Sequence, residues 1–339
     1  MDSIKDKSVL ITGATGLIGS NLVDRLMQSD IAKLIVTGRS KKKLESTFPE
    51  YVEDERFVVV EHDASTPYPE DIKDIDFIFH AAGPMERNIV MNYPVNVIMP
   101  NVLGTINTLE FLRNQEKETG RKGRAIIFSS VTVYNNPTKE DYVAVEEETS
   151  YAQSIDAATA CYSESKRMSE VIAKAYVKQY GVDAVIARFS TVYGPTRNVP
   201  DTAFYEFIKK SIAGEDITVN SNAAPRRDNI YVDDAIEGLI TITLKGKTGE
   251  SYNISSNGEK GNYAAVDEIA ECIVREASDC IQSLPIKVNY RELLEQRAPG
   301  MKLANNRIMK MEWCVKFSQN EGIRRTIISL SNSDNDSKR

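Results

Sequence analysis

A set of three glycines near the N-terminus constrains the fold more than any other feature of this sequence. The glycines stand three residues apart, directly after a short apolar run at residues 8–12 and at the start of a stretch with apolar residues at helical spacing. Glycine permits a tight turn and lets backbone N–H groups approach a phosphate at the N-terminus of a helix. The pattern therefore predicts a strand, a phosphate-binding loop and a helix, with a plain strand-to-helix turn as the alternative. The candidate loop contacts are Gly13, Thr15, Gly16, Leu17, Ile18 and Gly19.

The first two-thirds of the chain alternates short β-branched runs with helical stretches. This alternation is typical of βαβ units, whose right-handed crossovers build a Rossmann-type, doubly wound parallel sheet of the α/β class. The predicted strands cover residues 8–12, 33–37, 57–61, 77–80, 125–129 and 184–189. The predicted helices between them cover residues 17–28, 96–114 and 162–180.

The alternation changes near residue 195, and a smaller α/β lobe is predicted after it. Its helices are expected at residues 203–213, 234–244 and 267–276, and its short strands at 217–220 and 251–254. We therefore predict a dinucleotide-binding domain at residues 1–194 and a dependent substrate lobe at 195–328, some segments of which return to the first domain. Residues 329–339 are rich in Ser, Asn, Asp and Lys and are predicted to form a flexible tail.

Composition excludes several classes of function. The chain carries 42 Lys and Arg against 49 Asp and Glu, a net charge of −7, which argues against binding nucleic acid through phosphate neutralisation. It has two histidines and four cysteines, and none of them shows the spacing of a metal site. No apolar run approaches the roughly 18 residues of a membrane span, and no signal-peptide core is present, so a cytoplasmic protein without a membrane partner is expected.

The end of the second predicted strand indicates the preferred cofactor. Sites that prefer NAD usually carry Asp or Glu there, whereas this chain has Gly38 followed by Arg39, Ser40 and Lys41. A guanidinium can bind a 2′-phosphate, so Arg39 and Ser40 favour NADP over NAD. An ordinary solvated basic run is the alternative.

A tyrosine and a lysine four residues apart form the candidate catalytic pair. Tyr162 and Lys166 lie on one face of a predicted helix. A nearby ammonium, together with a cationic nicotinamide ring in the oxidised complex, favours the phenolate of a tyrosine whose usual pKa is ~10. Ser130 ends a predicted strand, at the carboxyl edge where open α/β sheets bind ligands. Its hydroxyl would bind the substrate oxygen that gains or loses a proton.

The order of these motifs resembles the extended short-chain dehydrogenase/reductase family, in its group of NAD(P)-dependent sugar-nucleotide epimerases and dehydratases. The likeness extends from residue 8 to residue 327. It is carried by the glycine loop at 13–19, HAAG at 80–83, NVLGT at 101–105, SSVTVY at 129–134, YSESK at 162–166, RFSTVYGP at 188–195 and RRDNIYVDD at 226–234.

The resemblance implies a role for each matching residue. Tyr162 is the acid/base, Lys166 binds the cofactor ribose, and Ser130 orients the substrate hydroxyl. Asn101 supports the helix that bears Lys166, and His80 ends a strand as a structural residue. The implied contacts to the adenine, ribose and phosphates are Asp63, Ala64, Ala81, Ala82 and Gly83.

The resemblance also implies a nucleoside-diphosphate sugar as the substrate. Arg227 matches the position that grips the diphosphate, and Arg297 resembles a later phosphate-binding arginine, with surface salt bridges as the alternative for both. Thr191 stands where relatives usually carry an asparagine near the diphosphate and sugar. The acidic segment at residues 137–156 is predicted to be a lid or specificity loop, although its three glutamates at 146–148 also fit a solvated face.

The two positions that follow the candidate serine reduce the number of reactions that fit this chain. Dehydratases and decarboxylases of this group carry acidic residues where this chain has Val131 and Thr132, and neither side chain shuttles protons near neutral pH. Thr132 is kept with Ser130, Tyr162 and Lys166 in the candidate catalytic set. The favoured reaction is hydride transfer at a sugar carbinol carbon, most readily carbon 4, by an epimerase or a ketoreductase.

Two alternative functions and one expectation about assembly complete the predictions. A 4,6-dehydratase or decarboxylase is the alternative reaction, and a non-catalytic NADP-sensing protein on the same fold is the alternative of another class. The resemblance also implies a homodimer formed through the helices predicted at residues 96–114 and 162–180.

Overall fold

The computed structural model describes residues 4–134, 144–149, 154–281 and 285–336. The strands are β1 Ser8–Thr12, β2 Lys33–Gly38, β3 Phe57–Glu61, β4 Phe77–His80, β5 Arg124–Ser130, β6 Ala144–Val145, β7 Asp183–Phe189, β8 Thr191–Tyr193, β9 Ile217–Ser221, β10 Arg227–Tyr231, β11 Ser251–Ile254, β12 Tyr263–Ala264, β13 Val288–Glu292 and β14 Lys302–Leu303. The helices are α1 Leu17–Met27, α2 Lys41–Thr47, α3 Arg87–Asn92, α4 Val95–Thr119, α5 Ala160–Tyr180, α6 Ala203–Ala213, α7 Val232–Lys245, α8 Val266–Ile281, α9 Asn306–Met309 and α10 Gln319–Asp336.

The central sheet confirms the predicted doubly wound α/β fold. Within the described ranges its strands run in the order β3-β2-β1-β4-β5-β7-β11, and every neighbouring pair is parallel. The chain moves outward from β1 to β2 and β3, then crosses back to β4 on the other side of β1. This reversal places a crevice at the carboxyl ends of β1 and β4, where ligands of such sheets bind.

Burial on both faces explains why the strands read as continuous apolar runs. Leu10 of β1 packs in a cluster with Leu109 of α4 and Ala173 of α5, whereas its neighbours Val9 and Ile11 belong to the larger cluster on the opposite face. Alternate residues of one strand therefore meet helices on opposite sides, as expected of a parallel sheet covered on both faces.

The C-terminal part of the chain forms smaller sheets but also returns to the central one. Strands β12, β10 and β8 form a three-stranded sheet, and β9 pairs with β13. Strand β11 lies beyond the boundary predicted at residue 195, yet it pairs with β7 at the edge of the central sheet. No helix in the described part of the chain is both long and apolar enough to cross a bilayer.

The end of the chain differs from the prediction of a flexible tail after residue 328. Helix α10 continues to Asp336, so residues 329–336 are helical, and only 337–339 lie outside the described residues. Ile323, Ile327 and Leu330 are buried at spacings of four and three, which is one face of a helix. The polar composition after residue 330 hides this face, because the last apolar contact falls inside the segment that looks like a tail.

Leu330 provides a test of this helical end. Its side chain is 7% exposed, so Leu330→Ala should lower the free energy of unfolding by about 2 kcal/mol or more through the cavity that it leaves. Urea unfolding of both proteins measures the difference. Ile328, two residues earlier and 40% exposed, is the matched control, and Ile328→Ala should change stability by less than about 0.5 kcal/mol. Equal effects of the two substitutions would contradict a packed helical end.

Candidate active site

The glycine loop packs directly against the chain that follows β4. Gly13 has a φ of +70°, and a Cβ atom there would lie 2.8 Å from the carbonyl carbon of Ala81 and from the backbone nitrogen of Ala82. A Cβ at Gly19 would lie 2.3 Å from the carbonyl oxygen of Gly13. Both positions therefore require glycine. Gly16 precedes the first residue of α1, and the backbone N–H groups that begin this helix lie at the β1–β4 crevice.

The wall facing the glycine loop is held by a hydrogen-bonded chain through His80. The Nε2 atom of His80 lies 3.1 Å from the carbonyl oxygen of Pro100, which can only accept, so Nε2 is the protonated nitrogen. Thr12 then donates to Nδ1 at 3.0 Å, and its hydroxyl accepts from the N–H of Ala82 at 3.1 Å. Burial, with Lys166 as a lesser contribution, lowers the pKa of His80 to about 3. A neutral His80 thus braces the cradle as a structural residue.

Asn101 links the helix α4 to the helix that bears the candidate lysine. Its Nδ2 atom donates to Oγ of Ser165 at 3.0 Å and to the carbonyl of Val97 at 2.9 Å. Its Oδ1 atom is buried without a hydrogen-bond partner among the described residues. A Cβ at Gly83 would lie 2.3 Å from this oxygen and 3.1 Å from Nζ of Lys166, so the bare backbone of Gly83 passes over the pair.

The structure brings together three of the candidate catalytic residues. Tyr162 lies close to Ser130, whose hydroxyl acts on the tyrosine as a hydrogen-bonding group that lowers its pKa. Lys166 is buried, donates to the carbonyl of Phe128 at 2.8 Å, and has its Nζ 5.9 Å from the centre of the Tyr162 ring. Helix α5 begins at Ala160, so the tyrosine lies in its first turn at the carboxyl end of β5.

The pKa values of the pair differ from the expectation of a lowered tyrosine pKa. Burial raises the pKa of Tyr162, and the hydrogen bond with Ser130 only partly opposes it. Burial also lowers the pKa of Lys166 to about 8, against the opposing charge of Glu170. Burial is therefore the largest cause of both pKa shifts, and it disfavours the charged form of each side chain.

Thr132 lies in the 3₁₀ turn Val131–Tyr134 that follows β5. Its backbone N–H donates to Oγ of Ser130 at 3.2 Å, which helps to fix the serine hydroxyl. Its own hydroxyl is buried and has no partner within the described ranges. A buried hydroxyl without a partner is costly, so this oxygen is available for a ligand group.

The candidate contacts for the adenosine half line the rim beyond β2 and β3. Arg39 is exposed just after β2, and Ser40 is engaged as the N-cap of α2, its hydroxyl accepting from the N–H of Lys43 at 3.2 Å. Asp63 is exposed two residues beyond β3, and the carbonyl of Ala64 accepts from Asn107 at 3.0 Å. The predicted contacts at 39–40 and 63–64 therefore share one edge of the sheet.

These features fit a dinucleotide. The crevice offers helix N–H groups for a pyrophosphate, a cradle that any Cβ would fill, and the Asn101 oxygen beside Lys166, which has no partner in the described part of the chain. Residues of the glycine loop, the 81–83 segment, Tyr162 and Lys166 could hold it along the carboxyl edge of the sheet. The nicotinamide end would then reach Ser130 and Tyr162.

The predicted substrate arginines differ in their surroundings. Arg227 is exposed at the start of β10, and Thr191 is exposed at the start of the neighbouring β8. Arg297 forms a bidentate pair with the buried carboxylate of Asp267, at 2.8 and 2.7 Å, and donates to the carbonyl of Ala224 at 2.6 Å. The guanidinium of Arg297 is thus occupied by the protein, which favours the salt-bridge alternative for this residue.

Part of the acidic segment at residues 137–156 is described, and residues 137–143 and 150–153 lie outside the described ranges. The solvated-face interpretation is wrong for Glu147, whose side chain is buried and accepts from the N–H of Asn253 at 3.1 Å. Its neighbours Glu146 and Glu148 are exposed and contact Asn306 and Arg307, respectively. The sequence offered no signal for this burial, because three successive glutamates look alike.

The sequence did not identify three buried residues that support the candidate site. Thr12, Glu170 and Arg188 are buried and hydrogen-bonded to the catalytic elements, yet none was a candidate. Glu170 stands four residues after Lys166, and this spacing was the one signal that could have found it.

Comparisons with known proteins agree with the geometry. A family model described as the NAD dependent epimerase/dehydratase family matches residues 9–255. UDP-glucuronic acid decarboxylase 6 of Arabidopsis thaliana is 30% identical over 269 residues, which cover 78% of this chain and 74% of the relative. UDP-glucuronic acid decarboxylase 1 of Danio rerio is 28% identical over 333 residues, covering 95% and 72%. The resemblance drawn from the motifs is thereby confirmed.

Solved structures of sugar-nucleotide enzymes share the fold. A UDP-N-acetylglucosamine 4-epimerase from Methanobrevibacter ruminantium aligns with a TM-score of 0.78 at 22% identity, covering 97% of this chain and 99% of that one. A dTDP-glucose 4,6-dehydratase from Bacillus anthracis, solved in complex with NAD, aligns with a TM-score of 0.74 at 20% identity, covering 97% and 98%.

Gly19 provides a test of the cradle. Gly19→Ala places a methyl group against the Gly13 carbonyl, so we expect the free energy of unfolding to fall by about 1–3 kcal/mol and dinucleotide binding to weaken. Urea unfolding and fluorescence titration with reduced dinucleotide measure the two effects. A Cβ at Gly16 would meet only the Gly13 carbonyl at an ordinary 3.5 Å, so Gly16→Ala should unfold like the wild type. Unimpaired dinucleotide binding by Gly19→Ala would argue against this cradle.

Proposed function

The chain belongs to the NAD-dependent epimerase/dehydratase family of enzymes, and from that premise we propose that it transfers hydride at carbon 4 of a nucleoside-diphosphate sugar, as an epimerase or a ketoreductase. The observation that carries the proposal is the group of Ser130, Tyr162 and Lys166 beside the glycine cradle, in which the serine and the lysine are buried and the tyrosine is half-buried. Two features after β5 support hydride transfer without further proton chemistry: Val131 is apolar, and Thr132 offers only a hydroxyl.

In the proposed chemistry, Tyr162 carries the one proton that leaves or joins the sugar oxygen. A dinucleotide held by the glycine loop, Tyr162 and Lys166 would supply the hydride chemistry. Tyr162 takes the proton from the sugar hydroxyl as its carbon is oxidised, and returns it on reduction. Ser130 holds the same oxygen through its hydroxyl, and the ammonium of Lys166 favours the phenolate form of Tyr162 by charge. Thr132, with its unpaired hydroxyl, binds a neighbouring hydroxyl of the sugar.

A decarboxylase is the second candidate. It is supported by the likeness to UDP-glucuronic acid decarboxylases, among which the relative from Arabidopsis thaliana reaches 30% identity. Decarboxylation also begins with oxidation at the sugar ring, so Tyr162 and Lys166 serve both reactions. The residues at 131 and 132 favour the first candidate, because neither carries the acidic group expected of a decarboxylase.

Substrate binding and assembly form a separate part of the proposal. Arg227 is our candidate for the diphosphate, since a guanidinium binds phosphate oxygens in pairs. It is exposed two residues before Asn229, the residue of β10 that pairs with the exposed Thr191. We also propose a homodimer through helices α4 and α5. Apolar side chains on these helices are exposed, namely Val95, Ile98, Met99, Met168 and Val171.

A panel of nucleotide sugars tests the reaction. We expect epimerised or reduced sugar, without release of CO₂, from UDP-, GDP-, CDP- or dTDP-sugars, followed by chromatography of the products. Tyr162→Phe should reduce turnover by about 10²–10⁴-fold because the proton has no acceptor, while dinucleotide still binds. CO₂ release from UDP-glucuronic acid would instead establish the decarboxylase.

The same experiment separates catalysis from sensing. Tyr180→Phe changes an exposed tyrosine at the far end of the same helix and should retain wild-type turnover. If Tyr162→Phe kept the full biochemical role of the protein, a non-catalytic dinucleotide sensor would be the better description.

Cofactor choice is tested at Arg39, because we propose that its exposed guanidinium binds a 2′-phosphate. Arg39→Ala should weaken NADPH binding by about tenfold or more, the loss of one charge-assisted hydrogen bond, and should leave NADH binding within about twofold. Fluorescence titration measures both affinities. Lys42→Ala, an exposed cation on the following helix, is the matched control and should alter neither. If the affinities for NADPH and NADH fell equally, Arg39 would not be a ligand of the 2′-phosphate.

A further inference from the structure

Helix α5 contacts strand β5 through three side chains spaced four residues apart. Each of them meets one of three successive residues of the strand. The contacts are Tyr162 with the hydroxyl of Ser130, Lys166 with the carbonyl of Phe128 at 2.8 Å, and Glu170 with the hydroxyl of Ser129 at 2.5 Å. The first two belong to the candidate catalytic set, and the third does not touch the site.

The contact of Glu170 is part of a buried ion pair. Arg188 of β7 binds its carboxylate in a bidentate fork, with Nε donating to Oε1 at 2.8 Å and Nη2 to Oε2 at 2.6 Å. The two side chains are 9% and 7% exposed, respectively. A planar guanidinium and a carboxylate joined by two parallel bonds define both distance and orientation, so this pair holds α5 at one position along the sheet.

The guanidinium of Arg188 also donates to two segments outside helix α5. Its Nη1 donates to the hydroxyl of Tyr134 at 2.7 Å and to the carbonyl of Glu147 at 2.8 Å. Tyr134 ends the 3₁₀ turn that carries Thr132, and donates in turn to Asn253 at 2.6 Å. One side chain thus joins the helix, the turn after the catalytic serine and the 144–149 segment.

Stability does not account for this arrangement. Removing two charges from water costs several kcal/mol per ion, and well-packed apolar residues of similar volume commonly stabilise a core as well or better. The best-attested advantage of a buried ionic group is that it specifies one register among alternatives. A register error of one residue along β5 would separate Tyr162 from Ser130, so the site needs such a specification.

We propose that Ser129, Glu170 and Arg188 act as positioning residues that set the register of α5 on β5 and thereby hold Tyr162 and Lys166 at Ser130. This inference rests on the proposed function for its kinetic consequences. The three residues do not contact the reacting atoms.

The pair also acts on the site through charge. Lys166 faces Glu170 on its own helix, which is paired with the guanidinium of Arg188 on β7, and it also faces His80 on β4 and Tyr162, while α4 presents the neutral Asn101. The negative charge of Glu170 opposes the lowering of the Lys166 pKa by burial. Without it Lys166 would lose its proton at lower pH, and a neutral amine no longer favours the phenolate. The pH at which Tyr162 becomes an effective base would then rise.

The experiment compares Glu170→Gln with the wild type in the direction that oxidises the sugar. We expect kcat to fall by roughly ten- to a hundredfold, the size of effect that a misplaced catalytic group produces, while KM and dinucleotide affinity stay within about twofold. We also expect the rising limb of the pH–rate profile to move to higher pH. A purely structural defect would lower the rate equally at every pH.

Glu164→Gln is the matched control. It removes one negative charge from the same helix, where Glu164 pairs with Arg167 at 3.4 Å on the partly exposed side. We expect turnover and the pH profile of this variant to remain close to those of the wild type.

A second variant keeps the test decisive if Glu170→Gln fails to fold. Ser129→Ala removes one contact with Glu170 and leaves the ion pair intact, so it should fold, lower kcat severalfold, and leave the pH profile unshifted. Wild-type kcat in Ser129→Ala together with an unshifted profile in a folded Glu170→Gln would overturn the proposal. So would an unfolded Glu170→Gln combined with wild-type kcat in Ser129→Ala.

The failure of the proposed function would be recognised separately. If the wild type turned over none of the nucleotide sugars, the proposed reaction would be wrong, and a crystal structure of Ser129→Ala would then test the register directly. A lost Tyr162–Ser130 hydrogen bond or a displaced Lys166 supports the positioning role. An unchanged arrangement of both residues overturns it.

Discussion

The packing of helix α5 against strand β5 is the contact on which the candidate site depends. An apolar interface alone would tolerate small shifts along the strand, because dispersion and burial depend little on register. Here polar contacts with Ser130, Phe128 and Ser129 determine that register. The donor to the carbonyl of Phe128 is the buried ammonium of Lys166, which cannot move away without leaving its charge unsolvated.

The cofactor side of the crevice is built on a different physical basis. There the backbone itself forms the surface, and the absence of side chains at Gly13, Gly19 and Gly83 brings three segments within contact distance. Thr12 and His80 hold the segment that follows β4 by hydrogen bonds. The carbonyl of Pro100 can only accept, so it determines which nitrogen of His80 donates and which accepts. A backbone cradle beside a buried lysine and a tyrosine suits a ligand with a phosphate at one end and a reactive ring at the other.

Much of this arrangement was predictable from local patterns. Six of the seven strands of the central sheet and the main helices were expected within a few residues of their bounds, since apolar periodicity reports burial directly. The glycine loop and the Tyr162–Lys166 spacing identified the candidate site for the same reason, as each reflects geometry within one turn or one helix. The errors include those at Leu330 and Glu147, whose burial depends on distant segments that the local composition does not reveal.

The order and spacing of residues thus determined the fold class, the cofactor loop and the candidate catalytic residues, because all three follow from interactions among near neighbours in the chain. Long-range contacts decided the rest. Arg297 is paired with Asp267, and Arg188 is committed to Glu170, through partners 30 and 18 residues away, respectively. A free arginine and a paired one look identical in a sequence, since charge pairing depends on distance in space.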